Sequence, residues 1–142
     1  MQTIGLEPLQ LRYERQSRTA LELATCLEQT EGIESVNYTG LPGNPFYEVS
    51  RRQFGDAPGA MLTFDLSSKD ACFHLLDKLK VIRRATNLFD NKSLAIHPAT
   101  TIYGSFSPDQ REAMGISDKT IRLSVGLESV ELLLEDIRQA LM

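Results

Sequence analysis

The chain has 142 residues with 15 basic and 19 acidic side chains, a formal charge of −4, the wrong sign for a general binder of nucleic-acid phosphates. Hydrophobic residues make up 42% and charged residues 24%, a globular composition that is neither disordered nor collagenous, and no apolar run approaches the roughly 18 residues a bilayer crossing needs. One domain of this length needs no disulfide or metal to hold a core. The start, MQTIGLEPLQL, has no basic stretch followed by an apolar one, so a cytoplasmic location is expected, with no membrane and no nucleic acid as partners.

The first element is a long amphipathic helix opening near Pro8, which suits a first turn because its missing amide donor has no partner there. Leu9, Tyr13, Ala20, Leu23, Ala24 and Leu27 recur at helical steps, and Gly32 suits the backbone that closes the helix. A short strand is expected around Val36 and Tyr38, then a loop rich in glycine and proline, then a short helix over Tyr47 to Phe54. In AMLTFDL, Leu62, Phe64 and Leu66 alternate with Met61, Thr63 and Asp65, the pattern of a half-buried strand.

Ser67 and Ser68 stand where they can cap a helix with Ala71, Cys72, Leu75, Leu76 and Leu79 in one stripe. VIRRATNL reads as a strand beginning at Val81 and Ile82, and Ser93 to Ile96 as another that Pro98 prevents from running on. Ser107 and Pro108 open a short helix, and TIRLSVGLE supplies the last strand. The final helix carries Val130, Leu133, Leu134, Ile137 and Leu141 on one face, and its acidic residues Glu128, Glu131, Glu135 and Asp136 read as a mostly solvated face. Helices with a single apolar stripe beside alternating strands imply an α+β domain of two layers, with helices covering one face of a small sheet.

The chemistry-bearing residues are sparse. Cys26 and Cys72 sit inside apolar helical patterns and are expected as buried free thiols, and His74 and His97 fall at no metal-ligand spacing, so no metal site is expected. The basic cluster of Lys78, Lys80, Arg83 and Arg84 reads as solvated side chains. No nucleophile elbow, zinc-protease signature, phosphate loop or dinucleotide fingerprint occurs.

Three places remain. Strand alternation puts Ile121, Leu123 and Val125 on one face and Arg122 with Ser124 on the other, so Arg122 is either an exposed arginine or a fork for a carboxylate. The polar segment from Thr86 to Ser93 is either a structural turn or part of a site. HPATTIY, with Thr100, Thr101 and Tyr103, is a hydroxyl-rich loop.

Four segments bear a resemblance in order along the chain. GLEPLQLRYERQ at 5–16, VNYTGL at 36–41, GAMLTFDL at 59–66 and GISDKTIRLSVGLE at 115–128 are similar to GLETLxLRxERH, VxYPGL, GGMLSFEL and GISDxxIRLSVGIE of the cystathionine γ-synthase-like, or Cys/Met-metabolism, family of pyridoxal-phosphate (PLP) enzymes. NLFDNKSLAIHPATT at 87–101 resembles the O-acetylhomoserine sulfhydrylase branch more than related lyases, which implies an O-acetylhomoserine sulfhydrylase- or methionine γ-lyase-like enzyme.

The resemblance implies that residues 1–142 are a single C-terminal small domain of PLP fold type I, with a four- to five-stranded, mixed but mainly antiparallel sheet covered by helices on one face. The large PLP-binding domain would be absent. The intact enzyme would be a homo-oligomer carrying out γ-replacement or γ-elimination on a small amino acid, with a thiol or sulfide as second substrate.

By position in the motifs, Arg122 would hold the substrate carboxylate, and Asn87, Leu88 and Thr101 would complete the substrate-binding set. Phe89 stands where the family prefers glycine, and Ile102-Tyr103 replaces Thr-His. None of Lys69, Lys78, Lys80, Lys92 and Lys119 stands in a segment like the family's cofactor lysine. No catalytic residue and no bound PLP are therefore expected for this chain alone. The alternative is a free-standing, non-catalytic binding or interaction module with the same fold.

Overall fold

In a computed structural model, residues 5–142 are described; residues 1–4, which belong to the start read above for a leader, lie outside them. The elements in order are α1 (Leu9–Leu27), β1 (Ser35–Asn37), α2 (Tyr47–Phe54), β2 (Met61–Asp65), α3 (Lys69–Lys78), β3 (Arg83–Arg84), β4 (Leu94–Ile96), a 3-10 turn (Pro98–Thr100), α4 (Pro108–Ala113), β5 (Thr120–Ser124) and α5 (Val130–Leu141). The strands form one sheet in the order β1-β2-β5-β4-β3. Its pairs are antiparallel except β3 with β4. This is the expected α+β architecture with a five-stranded, mainly antiparallel sheet.

The core lies between the sheet and three helices. Leu62, Phe64, Ile121, Leu123 and Ala95 come from the strands, Ala20, Leu23 and Leu27 from α1, Cys72 and Leu75 from α3, and Leu133, Ile137 and Ala140 from α5. The period of two that buries Leu62 and Phe64 turns Thr63 and Asp65 outward, and on β5 it does the same to Thr120 and Arg122. The opposite face of the sheet therefore carries Thr63, Asp65, Thr120 and Arg122 on β2 and β5, beside the buried Leu94 and Ile96 of β4. Ser68 accepts the Ala71 amide at 3.1 Å and caps α3, while Ser107 and Gln110 form a reciprocal capping box at α4.

Several expectations are corrected. Pro8 takes the cap position of α1 rather than a place in its first turn, its carbonyl accepting the Arg12 amide at 3.0 Å. Helix α1 stops at Leu27, and turns carry the chain to Gly32, whose φ of 90° is left-handed. Leu9 is 40% exposed, and the buried face of α1, which begins at Gln16, includes Gln16, Ser17 and Thr19.

The third strand is only Arg83–Arg84. Val81 and Ile82 lie outside it because their amides, with that of Lys80, are taken by the Asp136 carboxylate at 2.8–2.9 Å. Asp136, expected on a solvated face, is thus buried on α5. Glu128 is half-buried and accepts the Ser93 hydroxyl at 2.8 Å and its amide at 3.1 Å. Cys72 is a buried free thiol, but Cys26 is only half-buried.

Candidate functional site

Arg122 sits mid-strand, paired with Thr63 of β2 on one side and Ile96 of β4 on the other. Its inward neighbours Ile121 and Leu123 are buried to 0–1% exposure, so packing on the far side of the strand fixes the direction in which the guanidinium leaves the sheet. There it lines a groove of about 360 Å³ with Asn37, Thr63, Asp65, Tyr103 and Ser117.

One of its five donors is used: Nη2 donates to the Thr86 carbonyl at 3.0 Å. The ion pairs among the described residues are Arg51–Asp56, Arg84–Asp77, Arg111–Asp118 and Lys119–Glu34, so Arg122 has no acidic partner there. Burial pulls its pKa below the usual arginine value, with the nearby Tyr103 phenol acting in the opposite direction. The group stays cationic. A partly desolvated, unpaired guanidinium gains more from an incoming anion than a fully hydrated one does, and its planar fork matches a carboxylate.

Asp65 lies on the same face, two residues along β2 from Thr63, and its carboxylate accepts hydroxyl hydrogen bonds from Ser35 and Thr120. The groove therefore has a cationic and an anionic end. Asp65 and Asn37 are groove residues that sequence reasoning did not single out. Alternation places Asp65 on an outward face, but only the β2–β5 register puts that face beside Arg122.

The segment from Thr86 to Ser93 is a loop fastened through its backbone. The Thr86 carbonyl meets Arg122, the Phe89 amide donates to Ser124 Oγ at 3.2 Å, and the Phe89 carbonyl accepts from Arg12 Nη2 at 3.0 Å. The Asp90 carbonyl accepts from Gln16 Nε2 at 2.7 Å. Phe89 has a φ of 54°, a left-handed conformation that glycine adopts at less cost. Its ring lies 5.0 Å from the Arg12 guanidinium carbon and 6.3 Å from the Tyr13 ring.

Of the residues singled out in the sequence, Arg122 and Tyr103 meet in the groove. Asn87 and Leu88 are exposed at the loop tip, joined to Arg122 through Thr86 rather than lining the groove. The Thr101 hydroxyl donates to the His97 carbonyl at 2.8 Å, closing its own turn. His97 is buried, its Nε2 facing the Asp118 carbonyl at 2.8 Å and its Nδ1 the Thr100 hydroxyl at 2.9 Å. A carbonyl only accepts, so Nε2 carries a proton. Among the described residues no three metal-ligating side chains cluster, and no helix is long and apolar enough to cross a membrane.

Comparison with known proteins extends this picture. Residues 1–142 match the family described as Cys/Met metabolism PLP-dependent enzyme. The chain is 42% identical to O-succinylhomoserine sulfhydrylase of Pseudomonas aeruginosa, over 96% of this chain and 34% of that protein. It is 38% identical to L-methionine gamma-lyase of Pseudomonas putida, again over 96% of this chain and 34% of that protein. Its fold superposes with a TM-score of 0.86 and 44% identity on O-acetylhomoserine sulfhydrylase of Wolinella succinogenes, a protein described in sulfur transfer for methionine biosynthesis, covering 99% of this chain and 37% of that one. The chain thus spans about a third of the length of the curated relatives it matches.

Proposed function

We propose, for a chain that belongs to the Cys/Met metabolism PLP-dependent enzyme family, that it is the small C-terminal domain of a sulfur amino acid enzyme and supplies the clamp for the substrate carboxylate. The observation that carries this reading is Arg122: one hydrogen bond to Thr86, no acidic partner among the described residues, and a place in a polar groove. A small amino acid fits those terms. Its carboxylate would take the free edge of the guanidinium, while the tip at Asn87 and Leu88 would border the substrate and Thr101 would stiffen the turn that carries Tyr103. By likeness to the sulfhydrylases and the methionine γ-lyase, the substrate would be an activated homoserine or methionine, and the reaction γ-replacement or γ-elimination.

The family depends on PLP, but the residues present here do not fit the cofactor itself. All five lysines are exposed. Lys69 lies over the Phe73 ring, Lys119 pairs with Glu34 at 3.4 Å, and none of the five lines the groove. A lysine anchor for the aldehyde must be held in a site that controls its protonation. We therefore assign the anchor and the phosphate cradle to polypeptide outside this chain, and assign no catalytic residue within it.

The role of this chain is then orientation: a carboxylate gripped at two points fixes the rotation of the substrate's α-carbon. In the enzyme assembled with its PLP-binding polypeptide, Arg122→Ala should raise KM for the amino acid about 10- to 100-fold, the effect of losing hydrogen bonds to a charged group. An unchanged KM would remove Arg122 from the site and the proposal with it.

A further inference from the structure

We propose that Arg12 and Gln16, one turn apart on α1, are positioning residues that hold the Asn87–Leu88 tip in register with Arg122; this rests on the reading of Arg122 as the carboxylate clamp. Gln16 is 0% exposed, and its Nε2 donates both to the Asp90 carbonyl at 2.7 Å and to the Val125 carbonyl at 2.9 Å. One amide group thus ties the loop to the end of the strand that carries Arg122. Arg12 donates to the Phe89 carbonyl at 3.0 Å and stacks over the Phe89 ring at 5.0 Å. With Arg122 on Thr86 and Ser124 on the Phe89 amide, the backbone is fastened on both sides of the tip, leaving Asn87 and Leu88 exposed between the anchors.

Two details separate positioning from simple stabilisation. Arg12 Nε and Gln16 Oε1 are buried without a hydrogen-bond partner among the described residues, and burying an unsatisfied polar atom is unfavourable. A side chain retained there for stability alone would be apolar. What Arg12 and Gln16 supply that an apolar residue cannot is a direction for two consecutive carbonyls. Phe89, held with a φ of 54°, also occupies a conformation that persists only where its surroundings impose it.

The test follows the Arg122 Nε–Hε resonance and the Leu88 and Phe89 amides of the 142-residue chain by ¹H–¹⁵N spectroscopy during an acetate titration at fixed ionic strength. Arg12→Met and Gln16→Met, checked for native spectral dispersion, should each weaken acetate binding at Arg122 about fivefold and speed exchange of the Phe89 amide, which Ser124 holds, by a similar factor. Arg12→Lys, which keeps the charge but not the fork, should recover less than half of the loss. If Gln16→Met does not fold, the half-buried Arg12 decides the matter.

Unchanged affinity and exchange in a folded Arg12→Met chain would overturn the proposal, as would full rescue by lysine, which would assign the effect to charge. Arg122→Met is the separate control. If acetate still perturbs the spectrum equally in that variant, the carboxylate clamp itself fails, while amide exchange still reports on Arg12 and Gln16.

Discussion

Arg122 and Asp136 illustrate how differently two charged side chains can be used, and why one was legible in the sequence and the other was not. Arg122 stands in an alternating strand, so its direction follows from its neighbours, and no acidic side chain among the described residues pairs with it. Asp136 is 3% exposed and its partners are three successive backbone amides, at Lys80, Val81 and Ile82. Nothing in the spacing of α5 announces that, because the donors come from residues 54 to 56 positions away. The consequence is a test at one atom. Asp136→Asn keeps the shape but replaces an acceptor oxygen with a donor facing other donors, and should lower stability by about 2–4 kcal/mol in urea unfolding, since hydrogen bonds to a charged group are lost and amides are left unpaired. A loss below about 0.5 kcal/mol, the range of ordinary surface substitutions, would mean that the three amides find water instead.

Among the elements, those with strong local signals are the ones the sequence yields. Helix α2 spans Tyr47–Phe54, as its bounding glycines and prolines suggest, and the serines at 68 and 107 cap α3 and α4. Strand β3 is shorter than its sequence pattern suggests: the apolar pair Val81–Ile82 looks like a strand opening, whereas a carboxylate from α5 takes its amides. Helix α1 likewise ends before the glycine that its sequence offers as a stop: Gly32 does adopt left-handed backbone, but after turns rather than directly after the helix. Caps also differ in what they support. Helix α3 buries Cys72, Leu75 and Leu76, while α4 has no buried residue. Ser68→Ala should therefore cost about 1 kcal/mol of global stability, because fraying α3 disturbs the core. Ser107→Ala should leave the unfolding midpoint nearly unchanged and instead speed hydrogen exchange at Gln110 to Met114. Equal midpoint shifts in the two variants would show that α4 is cooperatively tied to the rest of the fold.

For the molecule as a whole, helices α1, α3 and α5 close one face of the sheet, and the groove that Arg122 lines opens on the other. That division explains what a single sequence could reveal of the groove: Arg122 is carried by a local alternating strand, whereas Asp65 and Tyr103 join it only through strand register and a returning loop. The closed face makes its own prediction, one of pH. Two buried groups there hold their protons against water. Burial pushes the Cys72 thiol from 9.0 to about 11 and the Tyr38 phenol from 10.0 to about 12. The Cys72 shift is reinforced by the carboxylates of Asp65 and Asp118, and that of Tyr38 is partly offset by its contact with Ser17 and slightly reinforced by Tyr13. The unfolded chain gives up these protons near the ordinary values, while the folded chain keeps them higher. Between the two the folded state binds more protons, so stability falls as pH rises. The contribution is complete below about pH 9 and is lost progressively from there toward pH 11 and 12. Urea midpoints measured from pH 7 to pH 11 should stay level near neutrality on account of these groups and then decline, and Cys72→Ala should flatten the first part of that decline while lowering stability at every pH through the lost side chain. A Cys72→Ala curve that runs parallel to wild type through pH 9–11 would show that the thiol ionises as readily in the folded protein as in the unfolded chain, and that this core admits water.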